Sequence, residues 1–174
     1  YGKTCGIFGL GAIGFAFAKM AQGFGMRVIS YSRHKKTDPK YDFIEQVDFD
    51  TLLAESDVIS IHAPLTPSTE DTFDADAFAK MKDGTILINT ARGGLIVEEA
   101  LVDALQSGKV YGAGLDVIRD EPPKGDNPLL HQDNAAITAH IAWLTRASRL
   151  RAIDIAIDNF KAYLRGEPVS VINK

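Results

Sequence analysis

An α/β fold, a doubly wound parallel sheet in three αβα layers, is predicted by three features of this 174-residue sequence. A short apolar run, Thr4 to Phe8, leads directly into the triplet Gly9, Gly11 and Gly14 and then into a helical pattern. Five more short runs rich in β-branched or small residues recur along the chain. Between them lie stretches in which apolar residues return with the 3.6-residue period of a helix. Strands that alternate with helices in this way pair in parallel through crossover connections.

The opening unit reads as strand, tight turn and helix. Gly9 makes the turn, Gly11 lets the backbone approach a pyrophosphate, and Gly14 lets helix and strand pack closely. Phosphates would then sit at a helix N-terminus, where unpaired N–H groups and the dipole favour negative charge. This is the Rossmann pattern, and it raises the expectation of dinucleotide binding. The helix closes near Gly23 and Gly25, and Arg27 to Tyr31 is the second strand. At the end of that strand an acidic residue would accept hydrogen bonds from the 2′-hydroxyl of NAD. Here the chain carries Ser32-Arg33-His34-Lys35-Lys36 instead. A hydroxyl, a guanidinium and nearby ammonium groups suit a 2′-phosphate, which favours NADP while leaving NAD possible. The plainer alternative is a solvated basic loop without a ligand.

Asp38 to Asp48 is read as polar loop, Phe49 to Ser56 as a short helix, and Asp57 to Ile61 as the third strand. His62-Ala63-Pro64-Leu65-Thr66-Pro67 ends it, the prolines preventing helical continuation. His62 either lines a cofactor crevice at this carboxyl end or is satisfied by backbone groups. Asp74 is placed to cap a helix running to Met81, and Asp83-Gly84 turns the chain into the fourth strand, Thr85 to Asn89. Arg92, flanked by Gly93 and Gly94, then stands on a carboxyl-end loop, where a guanidinium can fork a carboxylate.

A helix over Val97 to Ser107 follows, with Glu98 and Glu99 near its start and Lys109 beyond its end, as the macrodipole prefers. Tyr111 to Val117 is the fifth strand. From Val117 to Asn134 the chain is irregular apart from one helical turn, and Glu121 lies within it. Long irregular loops in compact domains often serve function. Ala135 to Thr138 is the sixth strand and runs into Ala139-His140. Thr145 or Ser148 begins the last helix, whose apolar positions are Leu150, Ile153, Ile157 and Phe160.

Composition narrows the function classes. A net charge of −4 offers no broad basic surface to nucleic acid or acidic lipid. No apolar stretch approaches the roughly 20 residues of a membrane span, and no secretory signal pattern opens the chain. It therefore reads as a soluble, cytoplasmic protein with neither nucleic acid nor membrane as partner. Cys5 is the single cysteine, so an internal disulfide and a cysteine-based zinc site are excluded, and no metal is expected. Tyr1 leads almost at once into the first core strand, which reads as a piece of a longer polypeptide.

Arg92, Glu121 and His140 stand on loops after the fourth, fifth and sixth strands, so the predicted topology lets all three converge on one crevice. A histidine beside a carboxylate can give a proton to a carbonyl oxygen and take it back. An arginine nearby would hold an α-carboxylate and polarise the carbonyl. The set fits reduction of a 2-oxo acid.

With these motifs the chain resembles the D-isomer-specific 2-hydroxyacid dehydrogenases. The resemblance rests on Gly9-Leu10-Gly11-Ala12-Ile13-Gly14, His62-Ala63-Pro64-Leu65-Thr66, Asn89-Thr90-Ala91-Arg92-Gly93, Gly114-Leu115-Asp116-Val117, Glu121-Pro122 and His140-Ile141-Ala142-Trp143. It implies that Arg92 binds substrate, that His140 is the acid/base, and that Glu121 pairs with it. It further implies coenzyme contacts from Gly9, Gly11, Ala12, Ile13 and Gly14, from Ser32 and Arg33, and from His62, Ala63, Pro64 and Thr69. Thr90, Ala91, Arg92, Asp116, His140 and Ala142 complete the implied coenzyme site. Ser-Arg after the second strand looks like the NADP-using glyoxylate or hydroxypyruvate reductases, and His-Ile-Ala-Trp is similar to glycerate dehydrogenase-type members. Ala12 departs from the family, many of whose members carry an arginine there near the pyrophosphate. The resemblance also implies a homodimer through this domain and a separate substrate domain absent from these 174 residues, so the chain alone is expected to have little activity. Transcriptional corepressors that respond to NAD(H) share the fold and motifs, which makes a nucleotide-sensing binding protein the alternative. Another Rossmann-type dehydrogenase using the same glycine motif is a third reading.

Overall fold

The computed structural model describes residues 1–172. Seven strands form one parallel sheet: β1 (Thr4–Phe8), β2 (Arg27–Tyr31), β3 (Glu45–Gln46), β4 (Val58–Ile61), β5 (Thr85–Asn89), β6 (Val110–Leu115) and β7 (Ala135–Ile137). Their order is β3-β2-β1-β4-β5-β6-β7, so the winding reverses between β1 and β4. Ligands of open parallel sheets bind outside the carboxyl ends at such a reversal. The sequence predicts six strands. The seventh, β3, lies in the stretch read as loop and pairs at Ile29↔Glu45 and Ser30↔Gln46. Two polar-headed residues carry no periodicity; what makes them a strand is the free edge of β2.

Two cores flank the sheet, because successive strand residues point to opposite faces. On one face Cys5, Ile7 and Val28 pack with Ala18 and Ala21 of α1 (Ala12–Gly23). On the other, Phe8, Ile29, Ile59, Ile61 and Leu87 pack against three helices. These are α2 (Phe49–Glu55), α3 (Ala75–Lys80) and α4 (Glu98–Gln106). Helices on both faces make the doubly wound fold. Asp48 caps α2 through Thr51 N–H, and Asp74 caps α3 through Ala77 N–H at 2.9 Å. Cys5 is buried, and burial pushes its thiol up to about 11, which keeps it protonated and inert.

Tyr1–Ala139 forms one compact unit and His140–Lys174 a second. Within the second, Thr145 caps α5 (Arg146–Leu164) by accepting from Ser148 N–H, and Leu150, Ile153, Ile157 and Phe160 recur at helical spacing along it. Among the described residues no helix is long and apolar enough to cross a membrane.

Register aligns the carboxyl ends of the strands. Phe8 pairs with Tyr31 and with Ile61, Ile61 with Asn89, Asn89 with Leu115, and Leu115 with Ile137. The next residue of each strand, Ser32, Gly9, His62, Thr90, Asp116 and Thr138, therefore emerges along one edge. A flaw in the frame lies on β2, where the Ser30 hydroxyl is buried with no hydrogen-bond partner among the described residues. Ser30→Ala is expected to stabilise the protein by about 1 kcal/mol, since it removes an unsatisfied group without leaving another. A rise in the urea midpoint at unchanged m-value checks this; an unchanged or lower midpoint counts against it.

Candidate active site

The glycine turn is built by exclusion. Gly9 sits at φ +98, and a Cβ there would lie 2.6 Å from the Ala63 nitrogen. A Cβ on Gly14 would lie 2.3 Å from the Gly9 oxygen, so α1 can approach β1 only with glycine at that position. Gly11 is different: a Cβ there meets nothing within 4 Å. That open space lies at the N-cap of α1, which has no side-chain cap and no acidic residue in its first turn. A phosphate fits both observations, as it needs close approach and unpaired N–H groups. Ala12 follows and is exposed, so no side-chain cation stands at this turn.

Beside the turn opens a cavity of about 490 Å³ lined by Phe8, Gly9, Leu10 and Gly11, by Tyr31, Ser32, Arg33, His34, Lys36 and Phe49, and by residues of the segment 62–72. Its floor is aromatic: Phe8 stacks on Tyr31 with centroids 5.6 Å apart and meets Phe49 at 5.4 Å. A flat apolar ring suits that floor. Its rim is basic, and Arg33 is exposed with no ion-pair partner among the described residues. The Ser32 oxygen accepts from Leu10 N–H at 2.7 Å, which fixes the hydroxyl and leaves its own proton free to donate to a ligand. Gln46 of β3 holds the basic turn by accepting from Lys36 N–H at 2.7 Å and donating to Lys36 C=O at 2.8 Å.

His62 stands in the walls of both this cavity and a second one of about 530 Å³, lined also by Ile13, Ala63, Pro64, Leu65, Thr90, Ala91 and Arg92. Its Nε2 lies 2.9 Å from Ser60 Oγ, and its ring packs 5.3 Å from Phe17. Burial lowers its pKa, so the imidazole is neutral at neutral pH. The ring lines both cavities, and its partner is the Ser60 side chain and not the backbone groups expected from the sequence. Thr69 belongs to the same wall, with its hydroxyl donating to Pro64 C=O at 2.7 Å and accepting from Thr66 N–H at 2.8 Å. Ile13 is 70% exposed and faces the second cavity.

Fully buried Asn89 shapes the arginine loop. Its Oδ1 accepts from Ala91 N–H and its Nδ2 donates to Arg92 C=O, each at 2.9 Å. The exposed Arg92 guanidinium donates to Ala91 C=O at 2.6 Å. Immediately beyond, a Cβ on Gly93 would lie 1.9 Å from the Ile118 carbonyl carbon, so the loops of Arg92 and Glu121 touch backbone to backbone. Glu121 Oε1 accepts from Ile118 N–H at 3.2 Å. Asp116 is buried and accepts from the Thr138 hydroxyl at 2.5 Å. The structure thus brings Arg92 and Glu121 to neighbouring loops of the first unit. His140 opens the second unit with φ +56, and Ala142 lies in that unit too.

The model of the D-isomer specific 2-hydroxyacid dehydrogenase NAD binding domain matches residues 1–142. The chain belongs to the D-isomer specific 2-hydroxyacid dehydrogenases. Within that family, a hydroxypyruvate reductase of Blautia hydrogenotrophica is 51% identical over 173 residues, 99% of this chain and 54% of that protein. A D-lactate dehydrogenase of Lactobacillus jensenii, solved with NAD+, matches with a TM-score of 0.90 at 34% identity, over 99% of this chain and 56% of its own. An acyclic imino acid reductase solved with NADPH and D-Arg gives 0.88 at 36%, covering 98% and 54%. The chain spans about half the length of such relatives.

Sequence reasoning missed the cavity floor. In the sequence Phe8 and Tyr31 are simply strand ends and Phe49 the start of a helix, and only the fold makes them a wall. It also passed over His34 and Lys36 individually, Thr66, Ser68 and Thr72, which line the same cavity. Asn89 is legible as a strand end and as part of a motif, but not as the residue that shapes the arginine loop.

Proposed function

We propose that this chain is the dinucleotide-binding domain of an oxidoreductase that moves a hydride between NADPH and a small 2-oxo acid such as glyoxylate or hydroxypyruvate, forming a D-2-hydroxy acid. One observation carries the reading: the register of six strand ends sets the glycine turn, the basic turn, His62 and the Arg92 loop along one edge of the sheet. The coenzyme, when bound, supplies the hydride that the carbonyl carbon takes. The protein's part is to orient and to protonate. Arg92 forks the substrate carboxylate and draws electron density from the adjacent carbonyl. His140 gives the carbonyl oxygen its proton, and Glu121 holds the imidazolium that must donate it. Asp116, Thr90 and Ala91 take the nicotinamide end, and Ala142 adds to that contact. Gly9 to Gly14 take the pyrophosphate, and Ser32 and Arg33 the 2′-phosphate.

On this reading the 174 residues bind coenzyme with little turnover by themselves, and the complete protein acts in the cytoplasm as a homodimer. Equilibrium sedimentation at the mass of one copy would remove the dimer. Nothing in the relatives' names favours a nucleotide-sensing corepressor.

The coenzyme is tested by calorimetric titration with NADPH and NADH in parallel. NADPH is expected to bind more tightly, and Arg33→Ala to weaken NADPH by about 10- to 100-fold, the loss of one or two charge-assisted hydrogen bonds, while leaving NADH within about twofold. Tighter binding of NADH, or an equal loss for both, overturns the NADP assignment. Reduction of glyoxylate and hydroxypyruvate by the complete protein tests the reaction, and failure with both, and with pyruvate, overturns it.

A further inference from the structure

The helix that follows the arginine loop begins with a carboxylate whose hydrogen bonds go to another loop. Glu98 is the first residue of α4, and Val97 at the N-cap offers no side-chain acceptor. Instead of turning back, the Glu98 side chain crosses to the loop after β6. Its Oε1 accepts from Arg119 N–H at 2.7 Å, and its Oε2 accepts from Asn127 Nδ2 at 2.9 Å. One carboxylate thus clasps two points that flank Glu121 on either side. Both grips are directional. Asn127 is buried, and its Oδ1 already accepts from Leu129 N–H at 2.9 Å, so its amide cannot turn over without breaking a bond. The mount is rigid, since Leu101, Val102 and Leu105 of α4 are buried in the core.

Other contacts fix the same segment. The Arg119 side chain donates to Asp71 and, at 3.3 Å, to Ile96 C=O. The Ile118 carbonyl abuts Gly93, and Ile118 N–H donates to Glu121 itself. Between the clasped ends, Glu121 is exposed. We infer that Glu98 is a positioning residue for Glu121, closing the loop of residues 119–127 with one carboxylate so that the Glu121 side chain is held against the arginine loop. The inference rests on the role given to Glu121 above.

The test is a double-mutant cycle in the complete protein carrying this chain, following reduction of hydroxypyruvate. Glu98→Gln sets an amide N–H against one of two donors that have no other acceptor among the described residues, and releases one end of the loop. Alone it is expected to lower kcat about tenfold, with KM for hydroxypyruvate and Kd for NADPH within about twofold, because Arg92 and the glycine turn are untouched. Glu121→Gln alone is expected to lower kcat about 100-fold, within the span of general acid–base effects. In the Glu121→Gln background Glu98→Gln should then cost nothing further, since groups that act as one are not additive. A tenfold loss in both backgrounds overturns the positioning role and leaves the role of Glu121 standing. Full activity of Glu121→Gln overturns the role of Glu121, and the positioning with it. Should Glu98→Gln fail to fold, Glu98→Asp keeps the charge at the helix start while withdrawing the carboxylate from both donors, and the same cycle decides.

Discussion

His140→Asn is expected to lower kcat for reduction of a 2-oxo acid by about 10³-fold in the complete protein while leaving NADPH affinity within about threefold. The choice of asparagine follows from the backbone. His140 holds φ +56, the left-handed region that asparagine enters more readily than most residues, so the variant keeps the chain's path and removes the imidazole. The loss has a simple origin. Hydride arriving at the carbonyl carbon leaves negative charge on oxygen, and without a positioned proton donor that charge must wait for water. A variant within tenfold of the parent in kcat would mean that the proton comes from another group. Weaker NADPH binding without a change in kcat would recast His140 as a coenzyme contact.

The second large effect separates the glycines of the turn by what surrounds each. Gly14→Ala presses a methyl group to within 2.3 Å of the Gly9 carbonyl oxygen, and Gly9→Ala combines a backbone clash with a φ that L-residues avoid. Each is expected to destabilise the fold by about 3 kcal/mol or more. At Gly11 a Cβ meets nothing within 4 Å, and Gly11→Val should cost only about 1 kcal/mol, chiefly as a poor N-cap. Yet it fills the approach to α1, and NADPH binding should fall by more than about 100-fold, since a displaced phosphate loses several charge-assisted bonds. Thermal or urea unfolding and titration on the same three variants read the two effects independently. If Gly11→Val binds as the parent does, the phosphates lie elsewhere.

Much of this was legible because the signals are local. A β-branched run such as Val58 to Ile61, a capping aspartate such as Asp74, and a glycine triplet between strand and helix each declare themselves within a few residues. What stayed hidden depends on residues distant in sequence. Gly93 looks like one more flexible residue beside an arginine until its neighbour proves to be Ile118, 25 positions on. Glu98 reads as a charge complementing a helix dipole, and nothing nearby says that its acceptors face Arg119 and Asn127. Strand β3 exists only because β2 offers it an edge, and so no periodicity announces it. His140 was nameable from its motif, whereas the conformation that narrows its substitutes was not.

The grip of Gln46 on the basic turn has a consequence for how coenzyme preference can change. Gln46 binds the main-chain N–H and C=O of Lys36, and no side chain of the turn takes part. That anchor is therefore kept whatever side chains stand at residues 33 to 36, proline at 36 excepted. The turn's chemical character can be rewritten one residue at a time without rebuilding the loop. A lineage could drift between the two coenzymes through intermediates that all fold, and the same freedom is open to an engineer who leaves Gln46 in place.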